Sequence, residues 1–580
     1  MDKQNLKQRI DVAAGRAPAD LRIANCRVVD VYNRSVFPAD VLVVGGTIAG
    51  FGGPDFPPAR ESFDAKGAFL APGLIDSHVH IESSHLSPAE FSRLVVPCGT
   101  TTVIADPHEI CNVCGLDGFD YMLRASEGIA LQVFLQVPSC VPCTPFEDAG
   151  AVLDAPRIAR CIGLDRVLGL GELMNFVGVC AADDDILDKL VEAEGLGKIV
   201  DGHSPGLAGS ALDAYAASGV RTDHECTTPE EVADRIRRGM YVMLRQGTSC
   251  HDVLNLLPGV NGGNDRFCLF CTDDRQSASL IREGHIDNNI RLAVGAGLDP
   301  ITALRMATIN VAECYGLRDR GAVAPGKRAD LILFEDMNDL WVREVWIGGR
   351  HVSGKGRYLA DDPRVEPMGV SGRMNVRNFS EGRLALPLAS DRVRTIRLVP
   401  GSVVTEEGRA TVSRDAGGCW ARDGQDIVKI AVVERHRGTG KVGLGLLEGY
   451  GLRGGAVATT VAHDSHNIIV AGDNDRDMAV AVETLVEIGG GLAIAKGGEV
   501  LGCLAHEIAG LMTDRSGEYV AQRIDGLCKR AWYDLGVHRN IDPFMALCFM
   551  ALPVIPQIKI TDNGLFDVNA FKPVPVEAND

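Results

Sequence analysis

Two histidines one residue apart end an apolar segment in the first sixth of the chain. Side chains alternate along a β-strand, so His78 and His80 would point the same way, as two ligands of one metal ion must. A single His-x-His pair is not specific, because such pairs also occur on solvated strands. Other metal-ligating residue types end separate short apolar runs, namely Glu172, His203, His224 and Asp273. Together the six residues predict a two-metal hydrolytic centre.

Strand and helix patterns alternate between residues 73 and 319, and these elements must position the ligands. Apolar segments that become polar toward their carboxyl ends predict eight strands, at 73–80, 101–108, 130–138, 166–173, 198–203, 220–225, 241–247 and 267–274. Helix starts such as Thr228-Pro229-Glu230-Glu231 lie between them. Eight strand–helix units predict an α/β fold, a (β/α)8 TIM-like barrel. The ligands lie at the carboxyl ends of the strands, where such barrels carry their chemistry.

The segments on either side of the barrel predict further domains. Strand patterns precede and follow it, at 21–30, 40–44, 329–334 and 342–347. After these comes a third block with its own β and α pattern, including a helix at 475–488 that ends in three glycines. We therefore predict a flanking β-sandwich subdomain from 1–72 and 320–370, a metal-binding barrel at 73–319 and an additional C-terminal α/β domain at 371–580.

Charge and composition exclude several function classes. The 580 residues include 58 basic and 77 acidic side chains, and a net charge of −19 without a basic patch argues against a nucleic-acid partner. The amino terminus is polar and no apolar run of about 18 residues would span a bilayer, which predicts a cytoplasmic protein without membrane contact. The 17 cysteines lie mostly in apolar segments and predict buried thiols without disulfides.

Several longer motifs resemble those of known enzymes. The His-x-His strand, the polar strand ends and the segment at 324–331 are similar to the amidohydrolase superfamily. More narrowly, four runs resemble the bacterial adenine deaminase family: HIESS at 80–84, DPHEI at 106–110, GLGELMN at 169–175 and AHDSHN at 462–467. The similarity extends over nearly the whole chain. It implies hydrolysis of adenine to hypoxanthine and ammonia in purine salvage, by a protein that is a homodimer or larger homo-oligomer.

In the predicted centre, the two histidine pairs hold one ion each. His78 and His80 would hold the first ion and His203 and His224 the second, with Glu172 bridging them where many superfamily members carry a carboxylated lysine. Two divalent ions lower the pKa of a bound water, so that hydroxide is available near neutral pH. Imidazole and carboxylate ligands suit manganese, iron or zinc, and the resemblance implies Mn2+, with Fe2+ as the second choice.

Proton transfer and substrate contacts need further groups. Asp273 is predicted to bind the first ion, to take a proton from the hydroxide and to pass it to the leaving amine. The purine ring nitrogens must be protonated or hydrogen-bonded for the ring to accept electrons. His108 and Glu109, at the end of the second predicted strand, are the predicted substrate contacts, and a loop-bracing pair is the alternative.

Other histidines and cysteines carry less signal. Cys140-x-x-Cys143 is a near miss of the zinc nucleobase deaminase motif, because Pro142 lies inside the pair and His80 ends a strand. We expect His285 to brace the barrel mouth and His85 to lie in a surface loop. His463 and His466 are predicted either to make structural hydrogen bonds or to reach into the active site.

Two alternative functions stay open at this point. A cyclic-amide hydrolase of the dihydroorotase or hydantoinase type would share the metal centre, although Glu172 replaces its usual carboxylated lysine and the long third domain is not typical of it. A non-catalytic scaffold without metals is the second alternative, and the presence of all six ligand types argues against it.

Overall fold

A computed structural model describes residues 2–53 and 55–578. The first flank of the barrel consists of α1 (Lys3–Ala13), β1 (Leu21–Asp30), β2 (Ser35–Val44), β3 (Thr47–Gly52), β4 (Glu61–Asp64) and β5 (Phe69–Pro72). The second flank, which follows the barrel, consists of β15 (Leu331–Phe334), β16 (Val342–Ile347), β17 (Arg350–Gly354) and β18 (Arg357–Tyr358).

The barrel lies between these flanks. Its strands are β6 (Leu74–His80), β7 (Thr100–Ala105), β8 (Gln132–Val137), β9 (Val167–Leu173), β10 (Ile199–Gly202), β11 (Thr222–Asp223), β12 (Tyr241–Arg245) and a last strand, interrupted at Thr272, made of β13 (Cys268–Cys271) and β14 (Asp273–Asp274). Its helices are α2 (Pro88–Val95), α3 (His108–Cys114), α4 (Leu116–Ala125), α5 (Ala155–Ile158), α6 (Phe176–Ala181), α7 (Asp184–Gly195), α8 (Gly209–Ala217), α9 (Pro229–Arg237), α10 (Val253–Leu256), α11 (Ser277–Glu283), α12 (Ile286–Gly295), α13 (Pro300–Met306) and α14 (Ile309–Cys314).

The parallel strands close into a ring, which confirms the predicted barrel. One ladder runs in the order β10-β9-β8-β7-β6-β14 and a second in the order β11-β12-β13. The last strand belongs to both ladders, since β13 and β14 are separated by a single residue. The Arg221 amide donates to the Val200 carbonyl at 2.8 Å and joins β10 to β11. Apolar strands covered by helices bury this sheet on both faces.

All eight predicted barrel strands are longer than the strands observed, and two of them show why. The strand expected at 101–108 ends at Ala105, because Pro107 lacks an N–H for the ladder and α3 begins at His108. The strand expected at 220–225 is reduced to β11. Asp223 Oδ1 accepts hydrogen bonds from the amides of Ser204 and Glu225 at 3.3 and 3.0 Å, so the Glu225 amide does not enter the ladder.

Both flanks of the barrel build one β subdomain, as predicted. Its sheet runs in the order β18-β17-β16-β15-β5-β1-β2-β3, with β4 paired to β1. The connection between the flanks is the antiparallel pair β5–β15, in which Leu70 lies opposite Leu333. Side chains from both flanks, including Val28, Val43 and Trp346, share one apolar core. The domain limits at 72/73, 319/320 and 370/371 stay predictions.

The C-terminal part is the expected α/β domain. Its strands are β19 (Arg392–Leu398), β20 (Thr405–Thr411), β21 (Ser413–Arg414), β22 (Trp420–Ala421), β23 (Ile427–Val433), β24 (Val442–Glu448), β25 (Ala456–Thr459), β26 (Ile468–Gly472), β27 (Gly491–Lys496), β28 (Glu499–Ala505), β29 (Ile558–Thr561), β30 (Gly564–Asp567) and β31 (Lys572–Pro573). Its helices are α15 (Asp475–Ile488), α16 (Gly517–Tyr533) and α17 (Pro543–Cys548). Short 3₁₀ helices in the described part of the chain lie at Ile81–Ser84, Val96–Cys98, Leu257–Gly259, Asp265–Phe267, Glu381–Leu384 and Phe549–Ala551.

Helix α15 shows how local signals set an element that then packs on the sheet. The Asn474 side chain accepts from the Asp477 amide at 2.8 Å, and Gly489 ends the helix at φ +81°. Its apolar face, with Met478 and Val482, packs on the sheet ordered β20-β19-β24-β23-β26-β25-β27-β28. The helix predicted at 475–488 is confirmed.

The C-terminal domain packs over the carboxyl ends of the barrel strands. The Ser87 amide, in the segment after β6, donates to the Thr513 carbonyl at 3.0 Å. The Asn467 side chain donates to the carbonyl of Asp148, in the segment after β8, at 2.8 Å. Within residues 2–53 and 55–578, no helix combines the length and the apolar character that a membrane span requires.

Gly171, beside Glu172 near the carboxyl end of β9, lies against the Asp106 side chain. An alanine Cβ at Gly171 would lie 2.2 Å from Asp106 Oδ2, the atom that accepts from the Glu172 amide at 2.8 Å. We expect Gly171→Ala to lower the free energy of unfolding by about 1–3 kcal/mol, measured by urea denaturation. Gly195→Ala, at the end of α7 with no atom within 4 Å, is the control and should be neutral or stabilising. Equal stability of the two variants would contradict this prediction.

Candidate metal centre

The barrel brings the six predicted ligands together. Each lies at the carboxyl end of a strand or directly after it, and each is at most 8% exposed: His78, His80, Glu172, His203, His224 and Asp273. His78 and His80 alternate with Val79 on β6, so both rings face the centre, where their Nε2 atoms are 3.1 Å apart.

Glu172 lies between two pairs of histidines. Its Oε1 atom is 2.9 Å from His78 Nε2 and 2.7 Å from His80 Nε2. Its Oε2 atom is 2.9 Å from His203 Nδ1 and 3.7 Å from His224 Nε2. Each carboxylate oxygen therefore faces one pair of imidazoles, which is the arrangement required of a carboxylate that bridges two ions.

The donor set fits divalent cations. Buried polar atoms in proteins are normally hydrogen-bonded, yet Glu172 Oε1 accepts no hydrogen bond from the described residues although two imidazole nitrogens lie within 2.9 Å. Lone pairs that converge without hydrogen bonds are typical of metal ligands. Imidazole nitrogen and carboxylate oxygen suit manganese, iron and zinc.

Asp273 is held from two sides. Its Oδ1 atom lies 3.0 Å from His80 Nε2, and its Oδ2 atom accepts from the Arg245 guanidinium at 2.9 Å. Burial would raise the pKa of the Asp273 carboxyl, but the neighbouring rings of His78 and His80 and the charge of Arg245 hold that pKa well below its usual range. Asp273 is therefore a carboxylate at neutral pH.

Sequence reasoning did not identify Arg245 and Glu225. The Arg245 guanidinium forms a buried ion pair with Glu225, whose Oε1 atom lies 3.3 Å from His224 Nε2. Arg245 ends β12 and Glu225 follows the predicted ligand His224. Arg245 could have been predicted as a site residue, because it is a charged residue at the end of an apolar barrel strand.

Asp106, at the end of β7, supports the centre without facing it. Its Oδ2 atom accepts from the Glu172 amide at 2.8 Å, and its carbonyl accepts from His80 Nδ1 at 2.9 Å. Because His80 is held through Nδ1, its Nε2 atom is the ring nitrogen that faces the centre.

The two predicted substrate contacts point in different directions. His108 lines the cavity, with its ring centroid 4.5 Å from that of His80 and its Nε2 atom 3.3 Å from Glu109 Oε1. Glu109 lines the same cavity, but its carboxylate is turned toward the C-terminal domain, where it accepts from His463 Nδ1 at 2.7 Å and from His466. The Ala462 amide donates to His466 Nδ1 at 3.0 Å, so His466 Nε2 carries the hydrogen that it gives to Glu109. The Glu109 cluster is therefore a hydrogen-bonded brace between domains.

Two expectations about other histidines need correction. His85 is 2% exposed and not in a surface loop, because the C-terminal domain covers it and places His506 Nε2 3.2 Å from its Nδ1. His285 braces the barrel wall instead of its mouth, with Nε2 3.1 Å from Asp76 Oδ2 and Nδ1 2.8 Å from Thr100 Oγ1.

An apolar wall closes the other side of the cavity. It is formed by C-terminal residues that carried no signal in the sequence because they are ordinary apolar side chains: Val403, Phe549, Leu552, Val554 and Ile555. The cavity therefore has the predicted metal ligands on its barrel side, and the C-terminal domain contributes this apolar wall together with the polar side chains of His463 and Asp464.

Comparison with known proteins agrees with both halves of this site. Residues 69–352 match the amidohydrolase family, and residues 402–572 match the adenine deaminase C-terminal domain. An adenine deaminase from Nitratidesulfovibrio vulgaris is 53% identical over 98% of this chain and 98% of its own length. The chain belongs to the adenine deaminase family. Adenine deaminase 2 of Desulfotalea psychrophila is 49% identical over 100% of both chains, and adenine deaminase of Ligilactobacillus salivarius is 46% identical over 98% of this chain.

The bridging geometry predicts how metal content depends on Glu172. We expect two divalent ions per chain, and Glu172→Gln should weaken the binding of both ions. Loss of a residue that only supports a ligand typically lowers metal affinity by about 10- to 100-fold, and the loss in Glu172→Gln should be larger. Metal content after dialysis, measured by elemental analysis, checks this. Glu194→Gln on the exposed side of α7 is the control and should keep both ions. A Glu172→Gln protein that binds both ions as tightly as its parent would exclude the bridge.

Proposed function

We propose that this protein hydrolyses adenine to hypoxanthine and ammonia. The proposal rests on two features observed together. The six predicted ligands converge at the barrel mouth, and a C-terminal domain of the adenine deaminase type packs over them. Relatives 44–53% identical over nearly the full chain are named adenine deaminases.

The proposed ligand assignment follows the pairs observed around Glu172. His78, His80 and Asp273 would hold the first ion, His203 and His224 the second, and Glu172 would bridge them. When bound, the ions supply a water molecule whose pKa is lowered to near neutrality. Mn2+ is the proposed ion, and Fe2+ or Zn2+ would suit the same ligands.

Asp273 is proposed to move the proton. In the reaction a C6–O bond forms, the bond from C6 to the amino nitrogen breaks, and the leaving nitrogen departs as ammonia. Asp273 would accept the proton of the attacking water and deliver it to the leaving nitrogen. Arg245, which binds Asp273 Oδ2, leaves Oδ1 to face the centre. His108, on the cavity lining, is the proposed contact to a purine ring nitrogen, with Glu109 fixing the orientation of its ring.

A cyclic-amide hydrolase of the dihydroorotase or hydantoinase type is not favoured. Such an enzyme would use the same barrel, but residues 402–572 match the adenine deaminase C-terminal domain. A homodimer and a cytoplasmic location stay predictions from the sequence.

Substrate identity can be tested directly. Manganese-loaded protein should release ammonia from adenine and not from adenosine, guanine or cytosine, and it should not open the rings of dihydroorotate or hydantoin. A chelator should abolish the activity and added Mn2+ should restore it. Ring opening of a cyclic amide without ammonia from adenine would contradict the proposal.

The proton-transfer role predicts the behaviour of Asp273→Asn. The amide keeps an oxygen ligand but cannot accept the proton, so kcat should fall by about 10²- to 10⁴-fold with both ions retained. Steady-state kinetics and elemental analysis on one sample check both statements. Near-normal turnover in this variant would exclude Asp273 as the proton carrier.

A further inference from the structure

A second cavity adjoins the metal-lined cavity. It lies between the barrel loop at 248–251 and the C-terminal segments at 398–403 and 540–549, and Val403 and Phe549 line both cavities. Exposed residues stand on its rim, namely His251, Pro400 and Asn540. The outer cavity thus reaches the protein surface, whereas the ligands of the inner cavity are buried. We name the boundary formed by these two shared side chains the Val403–Phe549 constriction.

Phe549 is fixed to the barrel through a histidine. Its ring stacks on that of His463, with centroids 4.8 Å apart and planes inclined by 26°. His463 in turn donates to Glu109 at 2.7 Å, and Glu109 lies 3.3 Å from His108 beside the metal ligands. The aromatic side of the constriction therefore has a defined position relative to the reacting centre.

Val403 is fixed by a buried lysine. Lys559 on β29 is fully buried, and its Nζ atom donates to the Val403 carbonyl at 2.8 Å. Burial lowers the pKa of Lys559 to about 7. Two residues further along, Thr405 donates from its amide to the Pro556 carbonyl at 3.0 Å and from its hydroxyl to the Ile558 carbonyl at 2.7 Å. The backbone of Val403 is thus held against β29.

The positions of the atoms in adenine indicate which part of the substrate would lie at this constriction. The amino group of adenine is on C6, and N9 lies on the far side of the fused rings. With C6 at the predicted metal ligands, N9 would point away from the barrel floor and toward the apolar wall. A sugar on N9 would have to occupy the space where Val403 and Phe549 stand, whereas a bare purine presents only a flat edge there.

We infer that the Val403–Phe549 constriction is the specificity determinant that admits the free purine base and excludes purines substituted at N9, including nucleosides. This inference rests on the proposed function and adds to it the structural element that selects the base. A constriction that excludes a larger substrate makes its transition state bind less well than that of the smaller substrate. The selectivity is therefore measured as the ratio of the two kcat/KM values.

The test compares adenine with 9-methyladenine and adenosine. In Val403→Ala and Phe549→Ala, the kcat/KM for 9-methyladenine relative to adenine should rise by about tenfold or more, and that for adenosine should rise in the same direction. Met545→Ala is the matched control, because Met545 lines only the outer cavity and its loss should leave both ratios unchanged. Metal content of each variant is measured in the same samples.

Lys559→Met gives an independent variant. It leaves both side chains of the constriction intact and removes the hydrogen bond to the Val403 carbonyl, so the 9-methyladenine ratio should rise, by less than in Val403→Ala. The inference alone would be overturned if the unaltered protein turns over adenine and the kcat/KM ratios are unchanged in metal-loaded Val403→Ala and Phe549→Ala. Absence of adenine turnover in the unaltered protein would overturn the proposed function and the inference with it.

Discussion

The Glu172 carboxylate is buried at the barrel mouth among four imidazoles, and the rest of the site is arranged around it. Burial by itself would raise the pKa of this carboxyl, but the charges of His224, His78 and His80 hold that pKa well below its usual range. A divalent ion at the Glu172 oxygen that accepts no hydrogen bond from the described residues would add positive charge beside this buried anion. The convergence of the four imidazoles on Glu172 thus follows from one electrostatic constraint.

The barrel meets this constraint by fixing the ligands through their neighbours. Asp106 binds the Glu172 amide and the His80 ring, and the bare Cα of Gly171 makes room for the Asp106 carboxylate. Arg245 holds Asp273 so that one carboxylate oxygen faces the imidazoles. Each of these supporting groups lies at the same end of the parallel sheet, so a short strand can position a ligand and its support together.

The C-terminal domain completes the site that the barrel begins. Its histidines bind Glu109 beside His108, and its apolar residues form a wall of the cavity that the predicted metal ligands line. Without this wall the ligands would open to solvent, and a flat base would have no apolar surface to contact. The domain therefore supplies most of the apolar lining of the cavity, while the barrel supplies most of its carboxylates and imidazoles.

Local signals predict the barrel, helix α15 and six residues of metal-ligating type at the strand ends, because strand alternation, polar strand ends and helix caps are properties of short segments. Only the tertiary structure decided which distant side chains meet: Glu109 and His463 are 354 residues apart, and Arg245 and Asp273 are 28 apart. The burial of His85 and the wall with Val403 and Phe549 also depend on how the C-terminal domain packs on the barrel. Such contacts leave no periodic pattern in the chain, since an apolar or charged residue has the same local signature whether or not a remote partner lies beside it.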